Sequence, residues 1–200
     1  MKWMIASDIH GSAKWCERML NAWQDEGRPR LVLLGDLLYH GPRNDLPEDY
    51  APKKVIGMLN AIAPNLLCVR GNCDAEVDQM VLSFPVMADY CALLMDGHVI
   101  YATHGHVHGE DNPPPLMPGD ILLCGHTHIP CCHRHEGFTF VNPGSVSIPK
   151  QNTPHSYALL EDGEMVWKDL ESGVFERERL WSSSQSSQSS QSNSATALII

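Results

Sequence analysis

The chain has 200 residues, with 14 Lys and Arg against 24 Asp and Glu, and so a formal net charge of −10 at pH 7. This balance argues against a general nucleic-acid binder, because such proteins neutralise backbone phosphates with Lys and Arg. Hydrophobic residues make up 43% of the chain and charged residues 19%, which excludes global disorder and supplies a core for one domain.

The amino-terminal region shows no membrane or export signal. No apolar run approaches the ~20 residues that cross a bilayer, and Asp8 and His10 come too early for the core of a signal peptide. Seven cysteines lack the density of a disulfide scaffold, which indicates reduced thiols. We therefore expect a cytoplasmic protein with no membrane contact, and the sequence leaves its oligomeric state open, a homo-oligomer included.

Apolar runs alternate with amphipathic stretches over the first third of the chain. The continuous runs 3–6, 31–34 and 66–69 predict strands that are covered on both faces. Helical spacing over 12–26 and 52–61 predicts one helix between each pair of strands. This order predicts a largely parallel sheet in an α/β fold.

The second half of the chain has a different texture. Gly and Pro turns separate strand-like segments at 84–94, 99–103, 138–141, 156–160 and 164–170. We expect these segments to form a second, more antiparallel sheet that packs on the first.

The chain ends in a low-complexity stretch. Residues 182–200 begin with Ser-Ser-Gln repeats and carry no charge, so they offer little to bury against the entropy of ordering. We predict a single domain over 1–181 and a flexible Ser/Gln-rich tail over 182–200, of a composition also typical of residues left from cloning.

Polar side chains follow five of the apolar runs. They are Asp8 with His10, Asp36, Asn72, His104, and His126 with His128. Functional groups gather at the carboxyl ends of strands in open α/β sheets, so these side chains should converge. Two carboxylates, one amide and four imidazoles are too many for one tetrahedral site but suit two cations that share a carboxylate. Such pairs, about 3.5 to 4 Å apart, promote in-line attack on phosphorus.

The same residues carry a family resemblance. Asp8-Ile9-His10, Gly35-Asp36, Gly71-Asn72, Thr103-His104-Gly105-His106 and Gly125-His126-Thr127-His128 resemble the DxH, GD, GN, GH and GHxH blocks of calcineurin-like metallophosphoesterases. Residues 142–145 resemble the closing turn of that family. Within the superfamily, the chain is most similar to small bacterial phosphodiesterases.

The resemblance implies a fold, cofactors and a mechanism. The fold is a four-layer α/β/β/α sandwich of two mixed sheets flanked by helices. One divalent cation is expected on Asp8, His10, Asp36 and His128, and the other on Asp36, Asn72, His104 and His126. Mn²⁺ is expected from the family, while the ligand set also suits Zn²⁺, Fe²⁺ or Ni²⁺. A hydroxide held between the cations is the expected nucleophile, with Asn72, Cys73 and His104 as catalytic residues.

Cys73 departs from the pattern of many relatives, in which a histidine at this position assists the leaving group. A thiol is a weaker acid catalyst for this step, so we expect a preference for phosphodiesters with good leaving groups, such as aryl esters. Packing as a small buried group is an equal alternative for Cys73.

Four further side chains have open interpretations. Arg70 is a candidate contact for the substrate phosphate, and pairing with a surface carboxylate is equally plausible. We favour His106 as a substrate contact. His133 and His135, beside two cysteines, suggest a zinc site, but no second spaced pair follows, which favours a strand with incidental polar residues.

The leading function is metal-dependent hydrolysis of a small phosphodiester substrate. An interaction scaffold is the alternative from another class, since a retromer subunit is similar in fold. The complete ligand set argues against the scaffold. A phosphomonoesterase is chemically closer, and the departure at Cys73 argues against it.

Overall fold

The structure, a computed structural model, describes residues 1–182 and the backbone of residues 196–199. Its strands are β1 Lys2–Ala6, β2 Arg30–Leu33, β3 Leu66–Cys68, β4 Tyr90–Met95, β5 His98–Thr103, β6 Asp120–Leu123, β7 Cys131–Arg134, β8 Phe138–Asn142, β9 Ser156–Glu161, β10 Glu164–Asp169, β11 Gly173–Arg179 and β12 Thr196–Ile199. Its helices are α1 Ala13–Asp25, α2 Pro52–Asn60 and α3 Glu76–Gln79, with a 3-10 turn at Ala63–Asn65.

In the described part of the chain, the strands form two mixed sheets of six strands each. The order is β11-β10-β9-β1-β2-β3 in the first sheet and β12-β4-β5-β6-β8-β7 in the second. β1, β2 and β3 are parallel, as are β5, β6 and β8. The parallel arrangement predicted for the first three strands is therefore confirmed.

Helix α1 follows from local chemistry. The hydroxyl of Ser12 accepts a hydrogen bond from the amide of Trp15 at 3.3 Å and so caps the helix. The apolar side chains of Trp15, Met19 and Trp23 share the buried face. Pro52 begins α2, where its missing N–H costs nothing. Both predicted helices are confirmed to within one residue at each end.

Two apolar layers hold the molecule together. Along β1, Met4 and Ala6 pack with the helices, while Trp3 and Ile5 pack between the two sheets. Because both faces of β1 are covered, its sequence is a continuous apolar run.

The last strands differ from their predicted placement. β9 pairs with β1 in antiparallel fashion, with Ile5 opposite Ala158, and β10 and β11 extend the same sheet. They therefore widen the first sheet instead of joining the second. The strand pattern was correct, but it does not encode which free edge a strand joins.

The outer faces of the two sheets are covered differently. Helices α1 and α2 cover the first sheet. On the second sheet, Leu116, from the loop at 104–119, packs on Leu122 and Phe140. Within the described residues, a loop thus covers the outer face of the second sheet, where the predicted four-layer sandwich has helices. The two mixed sheets of that prediction are confirmed.

The predicted tail is only partly described. Residues 183–195 and 200 lie outside the described residues, so the prediction of a flexible segment there stays a prediction. The backbone of Thr196–Ile199 pairs with β4, with Leu198 opposite Ala92. No helix in the described part of the chain is long and apolar enough to span a bilayer.

Candidate metal centre

The seven predicted ligand residues come together where the two sheets meet. Asp8 and His10 follow β1, Asp36 follows β2 and Asn72 follows β3. The ligands from the second sheet, His104, His126 and His128, follow β5 and β6. Because these strands are parallel within each sheet, their carboxyl ends lie at one edge. The predicted convergence is therefore observed.

One cluster of ligand atoms surrounds Asp8. Its Oδ1 lies 3.3 Å from His128 Nε2 and 3.6 Å from His10 Nε2. The two imidazole nitrogens are 3.4 Å apart, and Asp36 Oδ2 is 3.6 Å from His10 Nε2. Four ligand atoms thus face one small volume.

A second cluster surrounds His104. Its Nε2 lies 3.0 Å from Asn72 Oδ1, 3.2 Å from His126 Nδ1 and 3.5 Å from Asp36 Oδ2. The same Asp36 oxygen therefore faces both clusters. This arrangement suits two cations that share one carboxylate oxygen.

Backbone carbonyls orient three of the histidines. His10, His104 and His128 each donate a hydrogen bond from Nδ1–H to a carbonyl oxygen. The acceptors are, in the same order, Tyr39 at 2.8 Å, Leu34 at 2.6 Å and Ile148 at 2.6 Å. With the proton on Nδ1, each ring turns the lone pair of Nε2 into the clusters, which is how protein histidines are prepared as metal ligands.

The donor atoms fit divalent cations. Within the described residues, the buried Oδ1 of Asp8 has no hydrogen-bond partner, an arrangement that is costly unless an ion occupies the site. The lone pairs of His10 and His128 also face each other across 3.4 Å. Mixed carboxylate, amide and imidazole donors suit Mn²⁺, Fe²⁺, Zn²⁺ or Ni²⁺.

Electrostatics keep the carboxylates ionised. Burial favours the neutral form of Asp8, but the neighbouring imidazoles of His10 and His128 outweigh it and hold the pKa of that carboxyl well below its usual value. Burial also opposes ionisation of Asp36, and contact with His104 lowers its pKa overall. For His104, burial lowers the pKa, while Asp36 and Asp8 raise it to about 9. Negative charge is thus held where a cation would bind.

Asp36 is positioned by the turn after β3. The amide of Cys73 donates to Asp36 Oδ1 at 2.8 Å, which leaves Oδ2 for the clusters. The buried carboxylate of Asp74 accepts hydrogen bonds from the amides of Asp36 and Gly71 at 2.8 Å and of Leu37 at 2.9 Å. Burial raises the pKa of Asp74, and these donors oppose that shift. Sequence reasoning gave Asp74 no role, although it directly follows the Asn72-Cys73 turn.

Strained backbone is concentrated at the predicted ligands. Asp8, His10, Asp36, His126 and His128 have φ of 60°, 47°, 56°, 67° and 63°, in the left-handed region that L-residues disfavour. Five of the seven ligand residues thus adopt a conformation that the surrounding structure must hold in place. The strand-end motifs do not reveal this strain.

Two glycines allow the close approach of neighbouring turns. A Cβ on Gly71 would overlap Asp36 Oδ1 and the Asp36 amide, and a Cβ on Gly125 would overlap Ser7 Oγ. Gly105 has φ +110°, where only glycine is relaxed. All three glycines thus permit the tight turns that aim the predicted ligand side chains.

The closing turn supports the ligands from behind. The amide nitrogen of Asn142 donates to the Gly125 carbonyl at 2.7 Å and to Thr127 Oγ1 at 3.0 Å. The hydroxyls of Ser145 and Ser147 each donate to the Asp8 carbonyl at 3.0 Å. Both turns that carry ligands are therefore fixed to residues 142–147.

A cavity of about 270 Å³ opens over the two clusters. Its walls include three side chains that sequence reasoning did not identify: Arg43, Asn44 and Lys150. The Lys150 ammonium donates to Asn44 Oδ1 at 3.2 Å and so joins two loops across the cavity. Arg43 and Lys150 lie in loops, and no sequence pattern distinguishes such basic residues from ordinary surface residues.

The predicted substrate contacts lie at different places. Arg70 donates from Nε to the Asp74 carbonyl at 3.3 Å, and its guanidinium is 4.0 Å from Glu76. It is not among the described residues that line the cavity. His106 lines an adjacent depression of about 260 Å³, its ring centroid 5.3 Å from that of His104.

Cys73 lines the cavity beside the ligands. Its sulfur accepts a hydrogen bond from Asn72 Nδ2 at 3.2 Å. Burial, followed by the charge of Asp36, raises the pKa of the thiol to about 12. The thiol therefore stays protonated at neutral pH.

Comparison with known proteins identifies the family of the chain. Residues 1–164 match the Calcineurin-like phosphoesterase superfamily domain, and the chain belongs to that superfamily. Phosphodiesterase YfcE of Escherichia coli strain K12 is 49% identical over 162 residues, which cover 81% of this chain and 88% of that protein. The predicted family is thus confirmed.

Solved structures give the same result. The structure of the E. coli phosphoesterase YfcE has a TM-score of 0.87 at 45% identity, and covers 90% of this chain and 100% of that one. Vps29 of Entamoeba histolytica, complexed with Zn²⁺, has a TM-score of 0.59 at 19% identity, and covers 90% and 99% of the two chains. The second likeness shows the shared fold alone.

Proposed function

We propose that the chain is a metal-dependent phosphodiesterase that acts on small diesters and favours good, aryl leaving groups. The observation that carries the proposal is the pair of ligand clusters that share Asp36 Oδ2 on the floor of an open cavity. The naming of the 49% identical E. coli relative as a phosphodiesterase supports this assignment.

The seven ligand residues divide between two cations. Asp8, His10, Asp36 and His128 would hold one, and Asp36, Asn72, His104 and His126 the other. Two divalent cations bound there, with Mn²⁺ as our first choice, would ionise a water as the nucleophile and place positive charge beside the phosphoryl oxygens. Hydrogen bonds fix the geometry of four of these side chains. His10, His104 and His128 donate from Nδ1–H to backbone carbonyls, which leaves Nε2 free to bind a cation. Asp36 Oδ1 accepts from the Cys73 amide, which leaves Oδ2 free.

The chain supplies positive charge above the clusters. Arg43 and Lys150 line the cavity and suit the anionic diester, with Lys150 held near Asn44. Asn72, in the second cluster, and Cys73 next to it line the cavity, where they can contact the reacting group. His106 borders the adjacent depression and stays our candidate for a contact with the outer part of the substrate. The contacts of Arg70 with Asp74 and Glu76 favour a positioning function over a direct contact with the substrate phosphate.

The leaving-group preference rests on Cys73. With its pKa raised to about 12, the thiol is a poor proton donor to a departing alkoxide. An aryl oxide needs little protonation, so its departure is affected less. Departure of the leaving group is therefore the step that limits which diesters this site can hydrolyse.

The proposal is tested with protein stripped of metal. Hydrolysis of an aryl phosphodiester and of the matching monoester is measured with and without added Mn²⁺, and Asp36→Ala serves as the control for contaminating activity. We expect Mn²⁺-dependent turnover of the diester that Asp36→Ala abolishes. Faster turnover of the monoester would overturn the assignment in favour of a phosphomonoesterase. No turnover with any divalent metal would favour the scaffold.

The cellular setting is part of the same proposal. All seven cysteines are free thiols, as in a reducing compartment, and we place the protein in the cytoplasm. The net charge of −10 argues against nucleic acid as the partner. Cell fractionation and a nucleic-acid binding assay at low salt test these two points.

A further inference from the structure

The depression beside the metal centre differs in chemistry from the cavity over the clusters. Arg43 and Lys150 give the cavity two basic side chains, which suit a phosphate. Among the described residues that line the depression there is no Lys or Arg, and Asp89 supplies the one carboxylate. Most of the lining surface is apolar, with Tyr90 and His106 contributing aromatic rings. The depression therefore suits an uncharged group better than a second phosphate.

The depression and the cavity are close neighbours. His104 lines the depression and His126 lines the cavity, and the centroids of their rings are 5.0 Å apart. A phosphodiester carries two ester groups on one phosphorus. With the phosphate over the clusters and the leaving group beside Cys73, the second ester group can extend past these two rings into the depression. Its volume of about 260 Å³ is below the ~300 Å³ at which pockets for whole small molecules begin, so it suits one such group.

One wall of the depression is a loop held by hydrogen bonds. Thr103 Oγ1 donates to the His108 carbonyl at 2.8 Å, and Asn112 Nδ2 donates to the Val107 carbonyl at 3.1 Å. The backbones of Gly109 and Asn112 exchange two further hydrogen bonds at 3.3 Å. Val107 is 60% exposed on this loop. A bound group can therefore pack on Val107 at little cost of ordering the loop.

The other wall is fastened to the turn after β3. The Arg70 amide donates to the Ala88 carbonyl at 2.8 Å, and the exposed Asp89 comes next in the chain. Tyr90 begins β4 and stacks on Tyr101 of β5, with ring centroids 5.8 Å apart. Both walls are thus fixed relative to the metal centre, as a binding site for one part of the substrate requires.

We propose that the depression binds the ester group that stays on the phosphate, and that this group is an aromatic ring with a hydrogen-bond donor. The proposal deepens the proposed phosphodiesterase function and rests on it for the reaction. A flat ring can pack against His106, Tyr90 and Val107. The Asp89 carboxylate can accept a hydrogen bond from an N–H or O–H group on that ring. The substrate class is therefore a diester whose retained group is aromatic and uncharged.

The first experiment keeps the leaving group constant and changes the retained group. Mn²⁺-loaded protein is assayed with the methyl, benzyl and 3-hydroxybenzyl esters of p-nitrophenyl phosphate. We expect kcat/KM to be roughly tenfold higher for the benzyl than for the methyl ester, because the ring becomes buried. A further rise of about threefold is expected for the 3-hydroxybenzyl ester, from its hydrogen bond to Asp89. Equal kcat/KM for the methyl and benzyl esters would overturn the proposal.

Two variants separate the ring contact from the hydrogen bond. His106→Ala should lower the benzyl-to-methyl ratio of kcat/KM, and Asp89→Ala should remove the additional gain from the hydroxyl group. His133→Ala and Asp111→Ala are the matched controls, because both residues are exposed and neither lines the depression. The controls should keep the native ratios. If the benzyl-to-methyl ratio stays native in His106→Ala, the ring binds elsewhere and the proposal fails.

Binding without turnover distinguishes failure of this proposal from failure of the proposed function. Methyl benzylphosphonate and methyl methylphosphonate are monoanions like a diester, and neither carries a good leaving group. Calorimetry on the Mn²⁺-loaded protein should show roughly tenfold tighter binding of the benzyl compound. That result without hydrolysis of any diester would reject the phosphodiesterase and support the binding site. Hydrolysis of the diesters with equal binding of the two phosphonates would reject the binding site alone.

Discussion

His10 Nε2 and His128 Nε2 lie 3.4 Å apart, and each ring already donates from Nδ1–H to a backbone carbonyl. Two lone pairs therefore face each other in a buried site beside Asp8. The arrangement is unfavourable unless a proton or a metal ion lies between the donor atoms. In the metal-free protein His10 can hold that proton, because Asp8 raises the pKa of its imidazole despite burial. Stability should therefore depend on pH.

Metal-free protein should lose stability as the pH rises from about 6.5 to about 9. The pKa of His104 is raised to about 9 by Asp36 and Asp8 despite burial, so the folded state binds more protons than the unfolded state across this interval. Its contribution is complete below about 6.5 and is lost by about 9, on the order of 3 kcal/mol in total. Urea unfolding at a series of pH values, with chelator present, measures this change.

The Mn²⁺-loaded protein is the control for the pH experiment. A bound cation takes the place of the proton on His104, so the loaded protein should keep its stability over the same interval. If the metal-free protein were equally stable at both ends of the interval, our account of the electrostatics at His104 would be wrong.

Gly71→Ala should disrupt the shared carboxylate. The new Cβ would overlap the Asp36 amide, which is backbone, and Asp36 Oδ1, which the Cys73 amide holds in place. We expect a loss of about 1 to 3 kcal/mol in the free energy of unfolding, and loss of metal bound through Asp36. Gly137→Ala is the matched control, because a Cβ there meets open space. Native metal content in Gly71→Ala would contradict the steric argument.

Cys73→His should widen the range of leaving groups. An imidazole can donate a proton to a departing alkoxide, which a thiol with a pKa of about 12 does poorly. General acid catalysis contributes roughly 10²- to 10⁴-fold when it is well placed, so we expect alkyl-diester turnover to rise more than aryl-diester turnover. Cys73→Ala controls for the loss of the thiol. Unchanged alkyl turnover in Cys73→His would remove the basis for our account of the leaving group.

Lys150→Met should weaken substrate binding with little effect on the chemical step. The substitution keeps most of the aliphatic stem and removes the charge that faces the cavity. We expect KM for an aryl diester to rise roughly three- to tenfold with kcat little changed, as for the loss of an exposed ionic contact. Lys54→Met is the control, since Lys54 pairs with Asp49 on the surface. A fall in kcat without a change in KM would assign Lys150 to the reaction itself.

The ligand motifs were readable because strand ends are local signals. Asp36 follows an apolar run and a glycine, and the parallel strands then bring it to the edge that holds Asp8. The spacing of His126 and His128 likewise indicated one shared target. Such residues can be predicted from apolar periodicity and from the rule that functional side chains gather at the carboxyl ends of strands. Both signals depend only on residues within a few positions along the chain.

Supporting residues were harder to predict. Asp74 positions the backbone of Asp36 from 38 residues away, and Lys150 reaches Asn44 across 106 residues. Each of these side chains looks like an ordinary surface or turn residue in the sequence.

The sequence by itself determined the order of the first strands and helices, and the seven candidate ligands. Tertiary structure decided that β9 joins β1, that Asp36 turns Oδ2 to both clusters, and that five of the predicted ligands occupy left-handed backbone. The physical reason is the distance along the chain between the residues that interact. Apolar periodicity and strand-end motifs are properties of neighbouring residues, whereas a sheet edge, a strained φ angle and the choice of a carboxylate oxygen depend on contacts between distant parts of the chain.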